Sequence, residues 1–263
     1  MIVEKAWEHY KLNLKAALAF ALLLIFVPAF SLFESVFTSS GSMFVDYSIS
    51  SIIQSLPFIP LLAVFLMFYS LLISAVIFSV RKGFSKLKLQ FYLKEMIQKF
   101  TLKVFAFFAI FSFVIYVSTI AMALYGVNIL VIALFLFLVS LATMFVPQSL
   151  VIDEDDLLHA VMNSIEFISK NPKGTSLVLV VGAAWLAIVT VVGHAIDLFF
   201  FAGAYVSLLL TLVFVLPFME IMKSYIYMLK FDLIKSPQLA GQQKKRVFEE
   251  SKDLTEAAKK KIS

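Results

Sequence analysis

Long apolar runs separated by short polar stretches dominate the chain. Runs over 15–37, 56–80, 104–125 and 129–152 each match the roughly 20 residues that a helix needs to cross a bilayer. A further run over 177–216 is about twice that length and is broken only by Gly193-His194-Ala195-Ile196-Asp197 and Gly203. We read it as a hairpin of two spans, with the turn predicted at 193–198. The runs are apolar on every side and lack the alternation of a membrane β-strand, so helices are expected. The pattern predicts an all-α, polytopic membrane protein with six transmembrane helices arranged as three hairpins.

Between the runs lie three segments with apolar residues at helical spacing. They cover about 3–13, 86–101 and 155–169. In the third, Leu157, Leu158, Val161, Ile165 and Ile168 take one side, while Asp155, Asp156, His159, Asn163 and Glu166 take the other. In the second, Leu89, Leu93, Met96, Ile97 and Phe100 oppose Lys94, Glu95, Gln98 and Lys99; in the first, Trp7, Tyr10 and Leu14 line up. Helices of this kind lie in the headgroup plane on the cytoplasmic side, where Trp and Tyr are common anchors. The unit of surface helix plus hairpin thus recurs three times, and each entry into the membrane ends in Lys (Lys15, Lys103, Lys173), which suggests internal triplication. The opposite side carries a Ser-rich loop over 38–55, a tight turn at Tyr125-Gly126-Val127-Asn128, and the turn at 193–198.

Charge fixes the expected orientation. All 22 Lys and Arg fall before span one, between spans two and three, between spans four and five, or at and after the end of span six. The other side has none, a positive-inside pattern that places both termini in the cytoplasm of a multi-pass cell-membrane protein, with a prokaryotic cell as the expected host. The basic start and the apolar run that follows could mimic a signal peptide, but the run is long for a signal core, and we read it as an uncleaved anchor. Composition agrees: the chain is 62% hydrophobic and 15% charged, with a mean hydropathy of +0.97. Residues 1–235 form the expected transmembrane domain and 236–263 a charged cytoplasmic tail. The basic balance points to anionic lipid heads and not to nucleic acid, because the charges follow the membrane edge. The absence of cysteine excludes disulfides and thiol chemistry.

Pro147, Leu150-Val151-Ile152, Asp153-Glu154, Ala160, Ser164, Lys170 and Asn171, with Pro217, Tyr225 and Tyr227 in the last span, resemble a broad group of prokaryotic membrane proteins. These are the YciC-like proteins and the membrane region attached to some glycerophosphodiester phosphodiesterases. The resemblance covers the C-terminal half. A glycine expected after the acidic residue is Asp155 or Asp156 here. The resemblance implies a six-helix membrane domain tied to envelope or lipid functions, and it carries over no catalytic residue.

Four sets of polar residues are candidate sites. His194 and Asp197 share a helical face and, with Glu34 and Asp46, could form a polar outer site for a metal or proton; the bland reading is that they polarise two outer turns. Glu220 and Lys223 could mark an ion path if buried, or an interfacial pair with Lys223 snorkelling to the headgroups. Asp153–Asp156 lack the glycine and spacing of a calcium loop and read as acidic residues facing a helix N-terminus. Arg81, Lys82, Lys86 and Lys88 are candidate lipid-headgroup contacts. Pro147 and Pro217, deep in apolar runs, predict kinks. No motif for a cofactor or metal is present, so none is expected. The favoured function is a non-enzymatic scaffold or accessory subunit in envelope or lipid organisation, with a lipid bilayer and a protein partner or second copy as partners. The alternatives are a transporter or channel component, and a lipid-modifying enzyme using Glu34, His194 and Asp197.

Overall fold

A computed structural model describes residues 2–12, 14–26, 35–39, 42–46, 59–84, 96–200 and 203–229. The protein is an all-α polytopic membrane protein, and among the described residues five helical segments are long and apolar enough to cross a bilayer: Pro60–Arg81, Lys99–Leu124, Ile129–Asp153, Pro172–Phe199 and Tyr205–Met228. These correspond to the second to sixth expected spans. The first expected span, 15–37, is met by a short helix and a tighter 3-10 stretch, Leu14–Leu18 and Ala19–Phe26. Residues 27–34 lie outside the described residues, and Ser35–Ser39 is a strand, not the end of a helix. That strand pairs with Ser42–Asp46 in an antiparallel hairpin with Ser39 opposite Ser42. The Ser-rich connection is thus partly ordered as β-structure. The tail, 236–263, lies outside the described residues.

We number the main helices α1 (Ile2–Leu12), α2 (Leu14–Leu18), α3 (Ile59–Phe84), α4 (Leu102–Leu124), α5 (Ile129–Ala142), α6 (Leu157–Lys170), α7 (Pro172–Phe200), α8 (Gly203–Leu210) and α9 (Leu216–Met228). The turn between α4 and α5 forms where predicted. Gly126 takes the left-handed conformation (φ 69°), which glycine adopts without steric cost. Asn128 then caps α5 by accepting the Leu130 amide at 2.9 Å.

The last two spans turn later than predicted. α7 runs on through 193–198 to Phe200, and the connection to α8 falls at 201–202, outside the described residues. Gly193 and Gly203 are packing positions. A Cβ on Gly203 would collide with the Gly193 carbonyl and would lie 2.6 Å from the Asp197 carboxylate. Small residues of this kind let helix backbones approach closely in a membrane.

Two spans are interrupted near a proline. The span containing Pro147 passes from α5 through a turn at 143–145 and a short helical piece, Val146–Gln148, into a wider π-helical segment, Ser149–Asp153. The span containing Pro217 is π-helical over Thr211–Val215 before α9 begins. Proline has no N–H and orphans the carbonyl four residues before it. In a bilayer that carbonyl has no water to turn to.

Both breaks are repaired by side chains from the amphipathic helices. Tyr10 of α1 donates its hydroxyl to the Val213 carbonyl at 3.1 Å, four residues before Pro217. The Ser164 hydroxyl of α6 donates to the Ala142 carbonyl at 2.7 Å and accepts from the Phe145 amide at 3.2 Å, spanning the break before Pro147. Arg81, at the end of α3, donates to the Val151 carbonyl at 2.8 Å in the π-helical segment.

Two of the amphipathic helices also make contacts with the spans. α1 packs on the last span: Trp7 meets Phe214 and Phe218 edge-on with centroids 5.5 and 6.1 Å away, and His9 lies 5.7 Å from Tyr225. α6 turns its small face inward, burying Ala160, Ser164 and Phe167, and leaves Leu158, Met162 and Ile165 exposed. Of its expected apolar stripe, Leu158 and Ile165 are exposed while Leu157, Val161 and Ile168 are half-buried. The expected segment 86–101 lies mostly outside the described residues; its end, Met96–Thr101, is a π-helical lead into α4.

The packing is centred on the last span. Half of the most apolar window of Tyr205–Met228 is buried, against 17% for Pro172–Phe199. Phe214 and Phe218 stack in parallel between Trp7 and Tyr10 on one side and Trp185 of α7 on the other.

Candidate functional site

Two polar clusters lie where the broken spans meet. The first is buried. Glu220 and Lys223 stand one helical turn apart on α9, with the Lys223 ammonium 2.6 Å from Glu220 Oε1 and side-chain exposures of only 1% and 0%. Gln148, just after Pro147 and also fully buried, donates from Nε2 to Glu220 Oε2 at 2.8 Å. Lys223 also reaches the Met144 carbonyl at 3.4 Å, an acceptor next to the helix break. Tyr69 of α3, also buried, lies within electrostatic reach of the Glu220 carboxylate.

The interfacial reading of this pair is thus overturned: Lys223 does not snorkel, because its ammonium is held by a carboxylate and a carbonyl inside the protein. Two acceptors in the cluster, Gln148 Oε1 and Glu220 Oε1, lack a hydrogen bond of good geometry. For Glu220 Oε1 the short ion pair is the stronger statement, since Coulomb attraction at 2.6 Å does not depend on angle.

The second cluster is the acidic run, and its residues are divided among separate partners. Glu154 is bonded by Arg81 at 3.0 Å and by Lys99. Lys103 donates to the Asp155 carbonyl at 2.9 Å and pairs with Asp156 at 3.2 Å. Asp155 accepts from Ser149 and Asn163, each at 2.6 Å, and Asp153 accepts from the Tyr227 hydroxyl at 2.6 Å. The Lys99 hydrogen bond, seconded by Arg81, holds the Glu154 carboxyl below its usual range despite an opposing push from partial burial. Asp156 occupies the N-cap position of α6 but makes no capping bond with its side chain. The run serves as an ion-pair hub joining the ends of three spans, and its last two residues stand at the N-terminus of α6. Glu154 sits in the left-handed region (φ 63°), unusual for a residue with a side chain.

Of the candidate lipid contacts, Arg81 is occupied internally by Val151 and Glu154, with its guanidinium 5.9 Å from the Phe100 ring centre. The Lys82 side chain and all of Lys86 and Lys88 lie outside the described residues.

The proposed outer site is not assembled by what is described. Glu34 lies outside the described residues, as does the side chain of Asp46. His194 and Asp197 are exposed on α7. Asp197 Oδ1 accepts the Gly203 amide at 2.6 Å and so holds the start of α8. Among the described residues no group of three or more His, Cys, Asp or Glu is placed to hold a metal.

Most hydroxyls within the spans bond to their own helix. Ser70, Thr119, Thr143, Thr190 and Thr211 each donate to the carbonyl four residues back. Comparison of the chain with protein-family models, curated proteins and solved structures finds no match.

Proposed function

We propose that the chain is a non-enzymatic scaffold or accessory subunit of a prokaryotic cell membrane, with both termini in the cytoplasm. The observation that carries this reading is the use made of the polar residues. Glu154 and Asp156 hold cations from neighbouring spans, Asp197 holds the start of α8, and Glu220 holds Lys223 and Gln148. Groups committed in this way are poorly placed to bind and turn over a substrate. Meanwhile α5 buries only Ser140 along its length, and α6 exposes Leu158 and Ile165 of its apolar stripe. Such surfaces suit lipid, a protein partner or a second copy. The resemblance of the C-terminal half to YciC-like proteins favours a role in envelope or lipid organisation.

Reconstitution into vesicles of neutral and anionic lipid tests this. The expected result is retention of anionic lipid with no saturable turnover of any lipid. Turnover that disappears in His194→Ala or Asp197→Ala variants would establish the enzymatic alternative instead.

A transporter or channel component is the second reading. It is favoured by one feature, the buried pair between two proline-broken spans, since broken helices and intramembrane charges recur at transport sites. Saturable solute or ion flux in the same vesicles is the result that would put it first.

A further inference from the structure

A buried ion pair that merely ties helices together needs its acceptors filled. Here the cluster is short of donors. Gln148 is fully buried, its Nε2 is spent on Glu220 Oε2, and its Oε1 has no hydrogen-bond partner among the described residues. An unfilled acceptor of this kind in a dry interior costs free energy and calls for an explanation.

The cluster also has a polar approach. Lys223 and Tyr227 lie one turn apart on the same face of α9. Gln148 and Ser149 are adjacent in the chain. Tyr227 donates to Asp153, Ser149 donates to Asp155, and the Ser149 and Tyr227 hydroxyls lie close enough to interact. Polar side chains are therefore placed along both broken spans from the half-buried acidic run, open to solvent at Asp156, towards Glu220.

We propose that the Glu220–Lys223–Gln148 cluster is a proton-binding site inside the membrane domain, loaded through Tyr227, Ser149 and the acidic run. In the unloaded state Glu220 is a carboxylate paired with the Lys223 ammonium. A hydronium ion at the acidic run gives up one proton, breaking one of its O–H bonds and leaving water. Each relaying hydroxyl passes on one proton and regains one, so the net change is one new O–H bond at Glu220 Oε1. Lys223 keeps its contact with the Met144 carbonyl. The charged and titratable groups that face Glu220 are Lys223 from its own helix and Tyr69 from α3; Gln148 faces it from the Pro147 span and does not titrate. This inference goes beyond the scaffold reading and does not depend on it, since a proton can bind without flux or turnover.

Infrared difference spectroscopy of the full chain in lipid nanodiscs, between alkaline and acid pH, provides the test. With ¹³C-carboxyl glutamate, the proposal predicts one protonated glutamate band that exchanges slowly into deuterated water. The band is lost in a Glu220→Gln, Lys223→Met double variant, which keeps the shape and removes both charges. Tyr227→Phe slows its appearance and leaves its final size unchanged. Wild-type protein that stays folded on acidification and forms no slowly exchanging glutamate band overturns the proposal, even if the double variant fails to fold. A band that persists in the folded double variant overturns the assignment to Glu220, and an unchanged loading rate in Tyr227→Phe overturns the route.

Discussion

The Tyr10 hydroxyl donates to the Val213 carbonyl, four residues before Pro217, at 3.1 Å. An N-terminal helix 203 residues away in sequence thus completes the hydrogen bonding of the last span. Removing the hydroxyl in Tyr10→Phe leaves the ring packing and strands the carbonyl, at a cost of about 1–3 kcal/mol. The coupling is checked by thermal unfolding in detergent: Pro217→Ala restores a main-chain donor, so Tyr10→Phe in that background costs much less.

Ser164 performs the same service for the Pro147 span, filling one acceptor and one donor with a single hydroxyl. Ser164→Ala orphans both the Ala142 carbonyl and the Phe145 amide. The expected loss is about 2 kcal/mol or more, larger than for Ser169→Ala on the exposed side of the same helix. Parallel unfolding curves of the two variants decide it.

Glu154 makes stability depend on pH. Its carboxyl is held below the ordinary carboxylate range by Lys99 and Arg81, so its contribution is present in full above the unfolded value. That contribution is lost as pH falls through the lower, folded value. Glu154→Gln flattens this acid limb. Glu154→Ala is expected to be less stable than Glu154→Gly by about 1–2 kcal/mol, because only glycine adopts this left-handed conformation freely. Acid titration of the melting temperature for the three variants measures both effects.

Breaking the buried pair costs more than removing it. Lys223→Met leaves the Glu220 carboxylate without its counter-charge, at about 3–5 kcal/mol. The double change Glu220→Gln with Lys223→Met is expected to recover most of that loss. A double variant no more stable than Lys223→Met would show that the charges do not act as a pair.

Periodicity and apolar length made the second to sixth spans legible, together with the Tyr125–Asn128 turn, whose Gly126 and Asn128 carry local signals. The final hairpin was misplaced because glycine, histidine and aspartate together look like a turn. Gly193 is instead a contact glycine, and Asp197 reaches forward to Gly203. The apolar stripe of α6 was legible as an amphipathic pattern. That Ser164 would face inward to mend a break was not, since the break lies on another helix.

Glu220 and Lys223 illustrate the same limit. Spacing of three residues beside a basic flank fits a snorkelling pair and a buried pair equally well. What separates them is Gln148, 72 residues distant in the chain. The acidic run likewise reads locally as a helix start, whereas its role depends on Arg81, Lys99 and Lys103 from other spans. Long-range partners of this kind leave no periodic trace.

The proposed orientation puts every cationic loop on the cytoplasmic side. Because the chain has no cysteine, single cysteines report position without background. Tyr125, 88% exposed between α4 and α5, and Ser169, exposed at the end of α6, suit the purpose. A membrane-impermeant thiol reagent applied to intact cells is predicted to label the Tyr125→Cys variant at once and the Ser169→Cys variant only after permeabilisation. Labelling of both from the same side, or of Ser169→Cys alone in intact cells, would contradict the account.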